Sequence, residues 1–198
     1  MINKLLYTCL LLCIGTMCGY GQTVAVKTNA FYTATTRLTP NLGAEIGLGG
    51  KTTLDLSVGY NPWNRRPSID DESNKKAVHL LISPELRYWL CQSFNGHFFG
   101  FHALFAHYNI SQLNVPLLFG KDSEKYRHEG YAYGAGLSYG YQFLLGKRWN
   151  LELSAGVGYA RLNYTKYECV VCGEKIKDES RNYFGPTRAA VSLIFIIK

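Results

Sequence analysis

The feature that most limits what this chain can become is a period-two alternation of apolar residues with small or polar ones, recurring almost from end to end. Successive strand side chains point to opposite faces, so each such run builds one apolar face and one of different character. In residues 41–48 the apolar positions are Leu42, Ala44, Ile46 and Leu48, separated by Gly43, Glu45 and Gly47. Residues 53–61 set Leu54, Leu56, Val58 and Tyr60 against Asp55, Ser57 and Gly59. Residues 131–145 alternate large apolar and aromatic side chains with Ala132, Gly134, Gly136, Ser138, Gly140 and Gln142. The stretches 78–90, 149–159 and 187–197 follow the same rule, and 24–35 with the aromatic 98–110 bring the expected number of strands to eight. Helical periodicity is not convincing anywhere, and beyond the N-terminus no apolar run is long enough for a spanning helix.

The connections fall into two classes. Gly49-Gly50-Lys51 and Gly146-Lys147-Arg148 are short, and 91–96 is a third short turn. Three-residue loops pair Leu48 with Thr52 and Leu145 with Trp149, which keeps the apolar side chains on one face across each hairpin. Long polar loops at 61–77, 111–130 and 165–182, with a shorter one near 37–40, alternate with these turns. Short turns at one end and long loops at the other fit an eight-stranded antiparallel up-and-down transmembrane β-barrel with periplasmic termini and extracellular loops. A partial repeat, Gly50-Lys51 leading into Leu54-Asp55-Leu56-Ser57 and Gly146-Lys147 leading into Leu151-Glu152-Leu153-Ser154, fits a hairpin unit reused in a meander.

Alternation serves a soluble lipocalin-like barrel equally well, because the two architectures exchange faces. The non-apolar face separates them. Its residues are mostly Gly, Ser and Ala, which suit the narrow lumen of an eight-stranded barrel better than a solvated surface. The apolar face carries Leu, Val and Ile at mid-strand and Tyr60, Tyr133, Trp149 and Tyr159 toward strand ends, the distribution expected of aromatic girdles.

Residues 1–21 read as a signal peptide: Lys4 supplies the positive n-region, 5–14 the apolar stretch, and Gly19 and Gly21 the small residues before cleavage. This leaves 22–198 as one outer-membrane domain with three cysteines, too few for a disulfide framework. Several blocks carry a family resemblance: Tyr60-Asn-Pro-Trp63, Pro84-Glu-Leu-Arg-Tyr-Trp-Leu-Cys91, Tyr133-Gly-Ala-Gly-Leu-Ser-Tyr-Gly-Tyr141, Leu145-Gly-Lys-Arg-Trp-Asn-Leu151 and Tyr183-Phe-Gly-Pro-Thr187. Together they resemble a Bacteroidota family of small exported proteins of unknown function. The resemblance implies an outer-membrane barrel and a contextual link to fimbrial or other surface structures; it brings no catalytic residues.

The strands place seven charges on the inner face: Lys27, Glu45, Asp55, Glu85, Arg87, Glu152 and Arg188. Glu45 and Asp55 oppose each other across the first turn, and adjacent carboxylates need cations or a shared proton. Lys27 and Arg87 on flanking strands can supply the cations. A packed polar plug is the expected role, with a gated or proton-coupled path as its functional counterpart. Cys169 and Cys172 form a CxxC pair in the last loop and fit a local disulfide or a reduced pair. A structural zinc site needs four ligands, and only His107 and His128 stand as completions, so no metal or other cofactor is expected. For the alternative of an outer-membrane lipid-modifying enzyme, His102 and His107 lie on opposite faces of the fifth strand without an acidic neighbour in sequence. Ser83 and Ser111 are isolated, and no hydrolase or metalloprotease motif appears.

The chain holds 21 Lys and Arg against 14 Asp and Glu, a formal charge of +7. The three long loops contain 11 basic and 10 acidic residues and are nearly neutral. The unbalanced cations at the turn end are Lys51, Lys147, Arg148 and Lys198, a periplasmic collar facing lipid phosphates, and nucleic acid is not an expected partner. The sequence therefore leads to a non-enzymatic outer-membrane barrel whose partners are lipid and a surface or fimbrial protein. Cys91 and the loop cysteines fall at opposite ends of this topology. A non-reducing peptide map is expected to link Cys91 to neither Cys169 nor Cys172; either linkage would contradict the strand order.

Overall fold

A computed structural model describes residues 23–35, 39–62, 76–111, 126–168 and 174–197. The expected signal segment, Cys169, Cys172, Lys198 and the central parts of the first two long loops lie outside the described residues. Eight strands are present: β1 (Val24–Asn29), β2 (Asn41–Gly47), β3 (Thr52–Asn61), β4 (Lys76–Trp89), β5 (Gly96–Ser111), β6 (Tyr126–Leu144), β7 (Trp149–Glu168) and β8 (Lys175–Ile196). Each pairs antiparallel with its successor, and β1 also pairs with β8, so the sheet closes on itself as a ring. Among the described residues no helix is long and apolar enough to cross a membrane.

The expected pairings across the short turns are present. Leu48 donates its N–H to the Thr52 carbonyl at 2.8 Å and Leu145 to the Trp149 carbonyl at 2.9 Å. Glu45 stands opposite Asp55 in the β2–β3 register. The apolar face is the outer one: Leu42 and Leu137 are each 66% exposed, and Phe101, Tyr88, Phe99 and Val157 are also more than half exposed.

Two expectations are corrected. The first strand does not run through residue 35; it ends at Asn29, and a short helix, α1 (Ala30–Thr35), follows. Asn29 is the N-cap, its Oδ1 accepting the Tyr32 N–H at 3.1 Å, the bond that favours Asn at this position. The third long loop is also mostly strand, since β7 and β8 stay paired out to Thr165↔Asp178 and Tyr167↔Lys175. Its β8 half is mostly exposed on both faces and its β7 half only half-buried, so little burial selects apolar residues there and the alternation fades from the sequence.

Strand length climbs from six residues in β1 to twenty-two in β8. The ring is therefore tall on the β6–β8 side and low at β1 and β2. Reading the inner face of β5 from the turn end gives its vertical order: Phe98, then Gly100 and His102, then Leu104, Ala106, Tyr108 and Ile110. An aromatic floor, a charged middle and an apolar upper part follow one another.

The floor comes from the β4–β5 turn. Phe94 has φ 65°, in the left-handed region where a residue other than Gly is uncommon. Ser93 anchors this turn to the neighbouring one, its N–H donating to Gly50 O at 3.0 Å and its hydroxyl to Gly49 O at 2.9 Å. The conformation turns the Phe94 ring under the lumen, where it is 4% exposed, packs with Ala25 and Ile194 and stacks on Trp89 at 6.1 Å.

Candidate functional site

All seven charges expected on the inner face meet there. Arg87 on β4 contacts every carboxylate: Nε donates to Glu85 Oε2 at 2.6 Å, and Nη1 to Glu45 Oε2 at 2.9 Å and Glu152 Oε2 at 2.8 Å. Its Nη2 donates to Glu152 Oε1 at 2.9 Å and reaches Asp55 Oδ2 at 3.4 Å. Lys27 Nζ on β1 lies 2.9 Å from Glu45, 3.0 Å from Asp55 and 3.3 Å from Glu152. Arg188 on β8 bridges Asp55 at 3.0 Å and Glu85 at 3.1 Å. Three cations thus balance four carboxylates with one negative charge over, in a place where an unpaired ion would be costly.

Neutral donors complete the carboxylates. Thr53 donates to Glu45 at 2.6 Å and Ser154 to Glu152 at 3.0 Å; Ser138 donates a short hydrogen bond to Glu85. Trp89 Nε1 donates to Thr53 at 2.9 Å, and the Phe98 ring lies 4.4 Å beneath the Arg87 guanidinium. Small residues make the space: a Cβ at Gly43 would lie 2.8 Å from Lys27 Cγ, and one at Gly100 would meet Glu85 and Ser138.

Beneath the charges lie Trp89 and Phe98, which were not among the expected inward residues. Their signal was parity, since Trp89 falls on the same strand face as Arg87 rather than with Tyr88 and Leu90. His102 also points inward, fully buried, and its Nε2 lies 2.9 Å from Thr187 Oγ1. His107 takes the opposite parity and packs against the Tyr131 ring at 4.8 Å. Lys51, Lys147 and Arg148 are exposed at the turn end. Among the described residues no cluster of His, Cys, Asp and Glu has a geometry suited to a metal ion.

Above the charges the inner face turns apolar. Tyr108, Ala132, Ala160, Leu162, Tyr164 and Tyr183 form a buried cluster, joined by Leu104, Ala106 and Ile110. All of them but Tyr164 line a chamber of about 290 Å³. A second cavity of about 300 Å³ lies between α1 and β8. The two share Tyr32, Leu81, Pro186 and Thr187 as walls.

The model of a family described as Protein of unknown function (DUF3575) matches residues 6–197. The chain belongs to this family. The DUF3575 match takes in all eight strands, so the complete ring lies within the family's extent. No curated protein and no solved structure matches the chain.

Because Arg87 touches all four carboxylates, its removal leaves buried negative charge uncompensated. Arg87→Met is expected to destabilise the fold by about 3–5 kcal/mol, the cost of breaking a buried ion pair from one side. Arg87→Lys keeps the charge but loses the planar fork, so it is expected to fall between wild type and Met. Equilibrium urea unfolding followed by tryptophan fluorescence measures both, and an unchanged midpoint for Arg87→Met would show that the network holds nothing together.

Proposed function

We propose that this DUF3575 protein is a non-enzymatic outer-membrane β-barrel of a Gram-negative bacterium. It keeps its lumen plugged and presents its loop end to a surface or fimbrial partner. The observation that carries this reading is the inverted polarity of a closed sheet: seven charges inside, and Leu, Phe, Val and Tyr outside. Bilayer hydrocarbon requires both parts of that arrangement, an apolar exterior and no unpaired sheet edge. A transmembrane strand needs about 9–11 residues, and β3 to β8 have between 10 and 22.

The ion network and the Phe94–Trp89–Phe98 floor support a barrel that does not conduct, because together they occupy the lumen at two successive levels. The paired β7–β8 extension supports presentation. It projects beyond the shorter strands and carries Lys175, Lys177 and Asp178 on exposed positions. The enzyme reading draws least support. His102 and Thr187 are in hydrogen-bonding contact, but among the described residues His102 Nδ1 has no hydrogen-bond partner, and no carboxylate orients it as in a nucleophilic triad.

Purified protein in a planar bilayer is expected to give no steady large conductance, and steady large channels would overturn the plugged lumen. Fractionation with heat-modifiable gel migration tests the placement, which recovery in a soluble fraction would exclude. Reversing Lys51, Lys147, Arg148 and Lys198 to Glu is expected to reduce the inserted fraction without changing the migration of what does insert. Unchanged insertion would remove the collar from the account.

A further inference from the structure

The ring is closed at the turn end but comes apart above it. Ser192 on β8 is the last residue paired with β1, opposite Asn29, whereas β8 continues away from it as far as Lys175. The element beside β8 at this height is α1. A parted sheet inside hydrocarbon would ordinarily leave backbone groups unsatisfied. Here several of them are provided for. Asn29 Nδ2 donates to Ala189 O at 3.1 Å, and its Oδ1 accepts the Val191 N–H at 3.2 Å. Pro186 has no N–H to satisfy, and its carbonyl accepts the Tyr183 hydroxyl at 2.9 Å.

The cavity at this seam runs from outside to inside. Its walls are α1, β8 and inward positions of β1 to β4, and they include the exposed Phe31 and Val58 as well as Lys27 and Arg188 of the ion network. Inward it meets the apolar chamber along Tyr32, Leu81, Pro186 and Thr187. Tyr32 separates the two spaces, its hydroxyl 2.6 Å from His79 Nε2 and its ring packed where a Cβ at Gly59 would lie 2.6 Å away. An apolar cavity of ~150 Å³ already stays dry and takes up a benzene ring, and this chamber is close to twice that size at about 290 Å³. A buried donor also waits on the route. Arg188, only 10% exposed, spends Nη2 on Asp55 and Glu85, while its Nε has no hydrogen-bond partner.

We infer that the chamber is a binding site for one acyl chain of a membrane phospholipid, which enters from the bilayer through the α1–β8 seam. The chain passes Tyr32 and lies against Leu104, Ala106, Ala132 and Leu162. An ester carbonyl of the same lipid accepts the Arg188 Nε–H at the seam. The apolar walls select hydrocarbon, the chamber takes its length, and the Arg188 Nε–H matches the ester group at the top of such a chain. This inference rests on the membrane placement proposed above.

The test is photolabelling of the full mature chain in phosphatidylcholine vesicles that contain a phosphatidylcholine with a diazirine at the end of one chain. Adducts are located by peptide mass spectrometry. Inward-facing Ala132 and Leu162 are expected to be labelled together with outward-facing Phe101 and Leu137. In Ala132→Trp, which fills the chamber, the inward adducts are expected to be lost while the outward ones remain. If that variant does not fold, Ala160→Leu narrows the same space with less added volume. Labelling of the outer face alone would overturn the inference and leave the membrane placement standing. Absence of both sets would overturn both, because lipid then has no access to the protein. A parallel arm uses a free fatty acid with a terminal diazirine, and inward adducts from that probe but not from the phospholipid would overturn entry through the seam.

Discussion

Arg87 holds a position on which most of the interior depends. Its guanidinium contacts carboxylates from β2, β3, β4 and β7, and the same carboxylates are shared with Lys27 on β1 and Arg188 on β8. The two remaining strands join through other chemistry, β5 by the Phe98 ring under the guanidinium and β6 by the Ser138 hydroxyl on Glu85. Every strand of the ring is thus tied to one point on its axis. A planar, permanently charged fork with five donors suits that place better than any other side chain. Buried ions seldom add net stability over a well-packed apolar core, and their better-attested use is to specify an arrangement. At the level of Arg87 the large aliphatic side chains of the neighbouring strands face outward, and the ion network supplies the interior contacts between strands.

That network also divides the lumen. Below it, Phe94, Trp89 and Phe98 close the turn end, with the left-handed backbone at Phe94 held by hydrogen bonds between adjacent turns. Above it, β4 to β8 continue and, with Tyr32 of α1, line an apolar chamber. The low strands β1 and β2 leave a gap that α1 occupies, and Asn29 serves both sides of it, capping the helix and satisfying the edge of β8. The unequal strand lengths therefore have a structural result: a lower half packed with aromatic and charged side chains, and an upper half where β8 stands beside α1 in place of β1.

Legibility in the sequence followed burial. Where one strand face is buried and the other is not, alternation placed every inward charge on the correct side, from Lys27 to Arg188. Where both faces are exposed, as in Lys175 to Asn182, nothing selects an alternating pattern and the strand read as loop. The helix after Asn29 was short enough to hide in the alternation around it, although an Asn ahead of Ala-Phe-Tyr carried a capping signal. The inward aromatics were visible only as a matter of parity beside Arg87.

The sequence by itself determined the closed all-β architecture, the order of the strands and which residues face the axis, because a period of two leaves each side chain only one of two directions. Tertiary structure alone decided which of those residues meet. Arg87 and Glu152 are 65 positions apart and Lys27 and Glu152 are 125 apart, and no local pattern links them. Only closure of the ring, with its stagger between neighbouring strands, brings them to one level. The same closure set β1 too low to accompany β8, and so opened the seam that no stretch of sequence records.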